Sequence, residues 1–343
     1  MARLHTWGAE TGALPAGSSG VVVSDIQART GAYSFYVDNR DDVMPFSVNN
    51  LTEVFLRFGI YPTGSAGQEY MALAGIVQFY NSANQPQVSI SRDVSTGAIY
   101  AMLGQGDGGA LGNGGVLALN QWHCVEVRHL INNTTGVVQV KLDGTLVIDY
   151  TGDTQKDATT NIATIQFKST YVTSGGWRIT TGYIDDIAIN DTSGTKNNSW
   201  PGLGGIVWCP VDGDGMVSEM TPSAGDDNYA CVDEVPASDD DYVSGLASEG
   251  NTDFYTIDES NLPANGTINA IKLCYRAKVD EGSGVVVPLA SAGGGPGVGD
   301  EQSLSTSFAQ ISQTFEVDPG DDSELTLAKV KAMQIGLLAT EPS

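Results

Sequence analysis

The segment WHCVEVRHL (122–130), followed after a short loop by VVQVKLDGTLVIDY (137–150), decides the fold of the first half of the chain. Apolar and polar residues alternate through both segments, which is the period of a strand with one buried face. Asp143-Gly144 separates two such runs and readily takes the left-handed torsions of a two-residue turn. We therefore predict strands that are joined here by a β-hairpin.

The same period recurs throughout the first 190 residues, for example in AYSFYV (32–37), TEVFLRFGI (52–60) and QVSISRD (87–93). YMALAGIVQFY (70–80) is almost continuously apolar, as expected of a strand that is covered on both faces. Turn residues recur at short intervals, and no stretch carries a sustained helical period. We predict an all-β, antiparallel β-sandwich (jelly-roll) domain over residues 1–192.

A polar, glycine-rich connection over 193–205 separates this domain from a more acidic half, predicted as a second, smaller β-sandwich over 206–343. KVKAMQIGLLA (329–339) is expected to open as a helical turn and to finish as a strand. ASDDDY (237–242) and GGGPGVGDE (293–301) are expected to be surface loops. The clearest strand candidates are GIVWCP (205–210), NAIKLCYRAKV (269–279), GVVVPLA (284–290) and AQISQTFEV (309–317).

The composition restricts the function. The 343 residues include 41 Asp and Glu against 16 Lys and Arg, a net charge of −25. Because phosphate backbones need a positive partner, nucleic acid is excluded as a ligand. No apolar run is long enough for membrane insertion, and the first residues predict no signal peptide, so synthesis in a host cytoplasm is expected. Four scattered cysteines predict buried thiols rather than a disulfide framework.

Three phrases together resemble the concanavalin-A-like (LamG-type) lectin and glucanase sandwich. They are Gln121-Trp122-His123 followed by VEV and the hairpin at 137–150, an opening like RLHTWGAETG, and a closing strand like GYIDDIAI. The phrases occur in the family's order and span about residues 1–190. The resemblance implies that the first domain is a concanavalin-A-like sandwich.

A longer resemblance covers nearly the whole chain. INDTSGTKNNSWPGLGGIVWCPVDGDG, then NYACVDE, a D-x-D-Y phrase and AMQIGLLA, resemble a two-domain type found among virion proteins of tailed bacteriophages. The resemblance implies a structural protein on the virion exterior, either a capsid decoration or a tail or adhesion protein. Other virion proteins would be its partners, cell-surface glycans could contact its outer loops, and a homo-oligomer, for which we expect a trimer, would follow from particle symmetry.

Metal binding has two candidates. Asp212-Gly213-Asp214-Gly215 begins like a calcium loop, but the later positions do not fit the EF-hand frame, so a turn of solvated acids is expected. In many lectin-like sandwiches, a Glu of the opening phrase and an Asp of the closing strand share a structural calcium. The matching positions are Glu10 with Asp185 or Asp186, and the resemblance implies calcium there. We expect no other cofactor.

Glycoside hydrolysis would need a pair of suitably placed carboxylates. No E-x-D-x-E phrase is present, and the neighbouring Asp185 and Asp186 should point to opposite faces of one strand, so we predict that the chain is not an enzyme. Sugar contact would need exposed aromatic side chains, for which Trp177 and Trp200 are the candidates. Two alternatives to the virion role stay open: a free carbohydrate-binding lectin module, and a glycoside hydrolase with a non-standard acid pair.

Overall fold

The structure, a computed structural model, describes residues 2–67, 73–106, 108–172, 176–235, 237–292 and 295–341, without the side chains of 170–172 and 176–177. The chain forms two compact units. The first consists of Met1–Ala9 with Ala13–Ile206, and the second of Glu10–Gly12 with Val207–Ser343. The segment 193–205, expected as a linker, lies within the first unit. No helix among the described residues has the length and apolar character needed to cross a bilayer.

The first unit is built from fifteen named strands that form one continuous, folded-over sheet. The strands are β1 (Arg3–Trp7), β2 (Val22–Ser24), β3 (Ser34–Val37), β4 (Val43–Leu51), β5 (Glu53–Gly67), β6 (Leu73–Tyr80), β7 (Pro86–Asp93), β8 (Ala98–Leu103), β9 (Ala110–Val116), β10 (His123–Leu130), β11 (Gly136–Leu142), β12 (Thr145–Gly152), β13 (Ile162–Lys168), β14 (Thr170–Val172) and β15 (Gly176–Asn190).

Two layers of this sheet face each other and enclose the core. One layer runs β12-β11-β10-β5-β15-β1, and the other runs β4-β13-β6-β7-β8-β9. Rings meet across the layers: Phe58 on β5 is edge-on to Phe167 on β13 at 5.0 Å, and Phe79 on β6 is edge-on to His129 on β10 at 5.2 Å. The predicted all-β, jelly-roll sandwich is confirmed.

The hairpin predicted at Asp143-Gly144 is present. Asp143 and Gly144 have φ of 50° and 82°, and they join β11 to β12 in antiparallel register. The Asp143 carboxylate also accepts hydrogen bonds from the Cys124 amide at 2.7 Å and from His123 Nδ1 at 2.9 Å. The turn is therefore tied to the start of β10 as well as to its own strands.

Glycines allow the two layers to approach each other at one side of the sandwich. A Cβ on Gly112 would lie 2.8 Å from Ile148 Cγ2, and one on Gly114 would overlap the carbonyl oxygen of Val147. Both glycines lie on β9, and both obstacles lie on β12. A larger residue on this part of β9 would force the layers apart, since packed interiors have no spare volume.

The described residues of the second unit form short strands and little helix. Its elements are β16 (Val211–Ser218), β17 (Thr221–Pro222), β18 (Val243–Ser244), β19 (Thr252–Ile257), β20 (Ile271–Ala277), β21 (Val285–Ser291), β22 (Gly297–Val298), β23 (Gln302–Ser303), β24 (Ala309–Phe315), α1 (Leu327–Lys331), β25 (Gln334–Thr340), and short 3₁₀ turns at Tyr229–Cys231 and Ala247–Glu249. Among these, the strands form three sheets: β16-β19-β25-β21-β22 with β23 paired to β21, the pair β20-β24, and the pair β17-β18. The predicted strands at 269–279, 284–290 and 309–317, and the turn followed by a strand at 329–339, are confirmed.

Two local predictions for this half are wrong. Residues 205–210 form no strand, because the Ile206 amide bonds the Asp186 side chain and its carbonyl bonds Thr30 Oγ1, both at 2.6 Å. The acidic phrase starting at Asp212 lies in strand β16 rather than in a turn. Its glycines face inward, where a Cβ on Gly213 would lie 2.9 Å from Thr256 Oγ1, while its acids alternate to the outside.

The four cysteines are unpaired thiols, as the sequence predicted. Cys124 and Cys231 are buried, and Cys209 and Cys274 are half-buried. Burial raises the pKa of Cys124 and of Cys209 to about 11. At neutral pH these two side chains are therefore protonated and chemically quiet.

Candidate functional site

The predicted calcium residues Asp185 and Asp186 lie at a β-bulge of β15, where Asp186 has a φ of 55°. The bulge places both acids against the segment 29–30, so the prediction that neighbouring acids point to opposite faces is wrong here. Asp185 Oδ2 accepts the Arg29 amide at 2.9 Å and the Thr30 amide at 3.3 Å. Burial and the neighbouring Asp186 carboxylate raise the pKa of Asp185 to about 7.

Asp186 has its own set of partners. Arg29 Nη1 forms a salt bridge with it, and Thr30 Oγ1 donates to its other oxygen at 2.6 Å. Glu10 is buried and belongs to the second unit. No cluster of three or more potential metal ligands occurs among the described residues. Arg29 thus supplies a positive charge at this pair, and calcium at Glu10, Asp185 and Asp186 stays a prediction.

Trp200 packs within the first unit instead of standing free. Its half-buried ring lies edge-on to Phe55 at 5.6 Å, and Lys141 Nζ lies 3.8 Å from the ring centroid. The side chain of Trp177, the second predicted sugar contact, lies outside the described residues.

An open cleft of about 560 Å³ lies within the second unit, between β20 and the β19-β25-β21 sheet. This volume falls in the range of small-ligand sites. Aromatic side chains from separate parts of the unit line it: Trp208, Tyr242, Tyr255, Tyr275 and Phe308. The cleft combines apolar walls with polar groups, the usual composition of a binding site.

The phrase Asp239-x-Asp241-Tyr242, predicted as an exposed loop, forms part of the cleft mouth. Asp239 accepts two hydrogen bonds of 2.7 Å from Arg276 on β20, a bidentate pair that fixes the loop to the strand. Tyr242 is 41% exposed, and its ring lies 6.0 Å from that of Phe308. Lys278 Nζ lies 5.9 Å from the first ring and 5.3 Å from the second.

The cleft also contains polar side chains. Burial raises the pKa of Glu234, and the adjoining Asp241 carboxyl group, with which it shares a hydrogen bond, raises it further. The Tyr275 hydroxyl and the Trp208 indole nitrogen are buried and have no hydrogen-bond partner among the described residues. A buried donor without an acceptor is costly, and because neither atom is accessible from the cleft, these two groups are a local cost to stability rather than open binding positions.

A buried aspartate holds one wall of the cleft in place. Asp253 accepts hydrogen bonds from the amides of Glu219 and Met220, both at 2.8 Å, and from Asn228 Nδ2 at 2.6 Å. Its carboxylate also accepts the Tyr255 hydroxyl at 2.8 Å. Burial, with the nearby Asp253 charge, raises the pKa of Tyr255. This network connects the NYACVDE phrase to the strand that carries Tyr255.

Sequence reasoning missed the cleft because its parts lie far apart in the chain. Arg276 follows Asp239 by 37 positions, and the two meet only after β20 has paired with β24. The available signal was local: Tyr242 directly follows a run of acids, and β20 carries Tyr275 and Arg276 side by side. Aromatic residues flanked by charge within a predicted loop are a reason to suspect a ligand site.

No protein-family model and no curated protein matches the chain. Solved structures similar to it include an endo-β-1,4-glucuronan lyase of the fungus Trichoderma reesei, at 12% identity over 51% of this chain and 87% of that one (TM-score 0.32). A second similar structure is Domain 4 of AbnA, a GH43 extracellular arabinanase of Geobacillus stearothermophilus, in complex with arabinotriose. It is 13% identical over 50% of this chain and 76% of that one (TM-score 0.34). The Caenorhabditis elegans galectin LEC-6 is 12% identical over 45% of this chain and 94% of that one (TM-score 0.28).

One sequence-based prediction is corrected by this comparison. The chain was predicted not to be an enzyme, yet the similar structures include a lyase and a domain of an arabinanase. The prediction was also drawn too widely, since a missing E-x-D-x-E phrase excludes only one arrangement of catalytic carboxylates. At these low similarities no reaction, substrate or residue role is transferred to this chain, and nothing in the comparison indicates a virion role.

Proposed function

We propose that the chain is a glycan-binding β-sandwich protein and that the cleft of the second unit is its sugar site. The observation that carries the proposal is the exposed Tyr242 ring, which lies beside Phe308 at the mouth of an open cleft lined by further aromatic side chains and by carboxyl groups. A sugar ring presents an apolar C–H face and a rim of hydroxyl groups. The first suits an aromatic surface, and the second suits a small number of fixed polar groups.

The hydrogen-bonding groups are of the kind that sugar hydroxyls require. The carboxyl groups of Glu234 and Asp241 line the cleft and would accept hydrogen bonds from ligand hydroxyls. Arg276 is held by Asp239, so its guanidinium is already oriented. Such preorganisation lowers the entropic cost of binding.

Binding to a panel of immobilised oligosaccharides, followed by calorimetry on those retained, tests the proposal. Tyr242→Ala should weaken binding roughly tenfold, because about 1.4 kcal/mol of aromatic contact is removed. Val298→Ala is the control, since Val298 is an exposed apolar side chain of the same unit that does not line the cleft. Failure of the wild type to retain any glycan, or equal affinity of the Tyr242→Ala protein, would refute the proposal.

The finer part of the proposal is a place on the exterior of a bacteriophage particle, as a capsid decoration or a tail or adhesion protein, in contact with other virion proteins and as a homo-oligomer. The resemblance of the phrases from the junction at 189–215 to the closing AMQIGLLA supports it. Immunogold electron microscopy of intact particles tests it. Label over heads indicates decoration, label at one end indicates a tail role, and unlabelled particles reject both.

A further inference from the structure

The charges of the cleft define the class of glycan that it would accept. We infer that it selects glycans bearing a primary amino group over glycans bearing carboxylates. This inference rests on the proposed function, since it assumes that the cleft binds sugar at all. It is carried by three observations: an excess of acids, the engagement of both cations, and an aromatic pair that already lies beside an ammonium group.

Acids outnumber cations among the described residues that line the cleft. Five carboxylates and two cations are present, which gives a formal charge of −3. The residues are Glu234, Asp241, Asp280, Glu281 and Glu341 against Arg276 and Lys278. The whole chain carries −25, so the field outside the cleft has the same sign. A polyanionic glycan would be repelled on approach, and a cationic one would be attracted.

Both cations of the cleft already have carboxylate partners. Arg276 gives Asp239 a bidentate pair, and Lys278 Nζ lies 2.9 Å from an Asp280 oxygen. A sugar carboxylate is normally held by the fork of an arginine or by a lysine ammonium. A uronate bound here would therefore have to share its cation with a carboxylate that already holds it.

The aromatic pair shows that this part of the cleft accommodates an ammonium group, here that of Lys278. Lys278 Nζ is within 6 Å of the ring centroids of both Tyr242 and Phe308, the distance range of a cation–π contact. The carboxyl groups of Glu234 and Asp241 adjoin each other and repel when both are ionised. This repulsion adds to burial, which is the larger cause of the raised pKa of Glu234. An amino group of the ligand placed between the rings and these acids would relieve that repulsion.

Three β-1,4-linked oligosaccharides of equal length test the inference: a glucosamine oligomer, its fully N-acetylated form and a mannuronate oligomer. Calorimetry at about 10 mM salt, where charges are weakly screened, should show the amino form binding about fivefold tighter than the N-acetylated form. The mannuronate oligomer should bind more weakly than either. Added salt should reduce the preference for the amino form.

Variants separate the role of the cleft acids from general charge. Asp241→Asn should remove the preference for the amino form, whereas Asp240→Asn, the same change at an exposed neighbour outside the cleft lining, should leave it intact. Equal or tighter binding of the N-acetylated form or of the mannuronate by the wild type would overturn the inference and leave the proposed function standing. Binding of none of the three at any salt concentration, with no retention on the glycan panel, would overturn both.

Discussion

His129 makes the stability of the first unit depend on pH in a way that the structure predicts in detail. The side chain lies on β10 in the core, fully buried, between the strand positions of Val54 and Val138 and edge-on to Phe79. Neither ring nitrogen makes a hydrogen bond of regular geometry among the described residues, and the Thr154 backbone offsets only part of the effect of burial. Because burial disfavours the charged imidazolium, the pKa of His129 is lowered from 6.5 to about 4.

The direction of the effect follows from proton linkage. Between about pH 6.5 and pH 4 the unfolded chain binds a proton at His129 and the folded chain does not. The stabilisation is therefore complete above about pH 6.5, declines as the pH falls through this window, and is fully lost below about pH 4. The interval of about 2.5 pH units corresponds to about 3 kcal/mol of unfolding free energy.

His129→Leu isolates this contribution. Asp185, with a pKa raised to about 7, pulls the other way, because its protonation in the folded state stabilises the unit as the pH falls. The difference between wild type and His129→Leu removes this and every other shared titration. At pH 7.5 the variant should be at least as stable as the wild type, since it removes two buried nitrogens that make no hydrogen bond of regular geometry. Its relative stability should rise by about 3 kcal/mol between pH 7 and pH 4.

Native-state hydrogen exchange over residues 123–130, measured by mass spectrometry at several pH values, reports the opening free energy of the first unit. Phe79→Leu is the control, because it alters the same core contact without removing a titratable group. It should lower stability by a similar amount at every pH. A difference between wild type and His129→Leu that stays constant from pH 7.5 to pH 4 would refute the reasoning.

Three further predictions concern other parts of the molecule. Gly114→Val should destabilise the first unit by roughly 2 kcal/mol in urea unfolding, because β12 leaves no room for the side chain. Gly64→Ala is the control and should have little effect, since a Cβ at Gly64 makes an ordinary contact at 3.5 Å. Asp253→Ala should cost the second unit about 3 kcal/mol in the same assay, since four donors lose their acceptor. If the chain binds calcium at Glu10, Asp185 and Asp186, added calcium should raise the melting temperature of the wild type but not that of Glu10→Ala. An unchanged melting temperature for both proteins would contradict calcium binding and leave Arg29 as the counter-charge of Asp185 and Asp186.

Local sequence patterns predicted those parts of the fold in which the chain's own neighbours determine the structure. The Asp143-Gly144 hairpin follows from backbone torsions, and the alternation in β10 and β11 follows from burial of one face. Contacts between distant segments decided what the sequence did not reveal. The phrase starting at Asp212 is a strand because Phe254 and Thr256 lie against its glycines. The bulge at Asp186 meets segment 29–30, which no local pattern predicts.

The same division applies to the candidate site. The sequence identifies acids and aromatic residues that could contact a ligand one by one. It does not predict that Arg276 reaches Asp239 or that Lys278 lies over Tyr242. Trp200 shows the converse. Its loop, rich in Gly and Pro, suggested exposure, and the ring instead packs between Phe55 and Lys141. Exposure of a single aromatic residue depends on the three-dimensional neighbours that a one-dimensional pattern omits.

The unpaired thiols allow the opening of each unit to be followed separately. Cys124 belongs to the first unit, whereas Cys209, Cys231 and Cys274 belong to the second. An alkylating reagent consumes thiolate, so a buried, protonated cysteine is modified only during moments when the surrounding strands open. Peptide mapping after timed alkylation of the unmodified protein would thus report the opening rate of the first unit and of the cleft-bearing unit in one sample, with no label introduced.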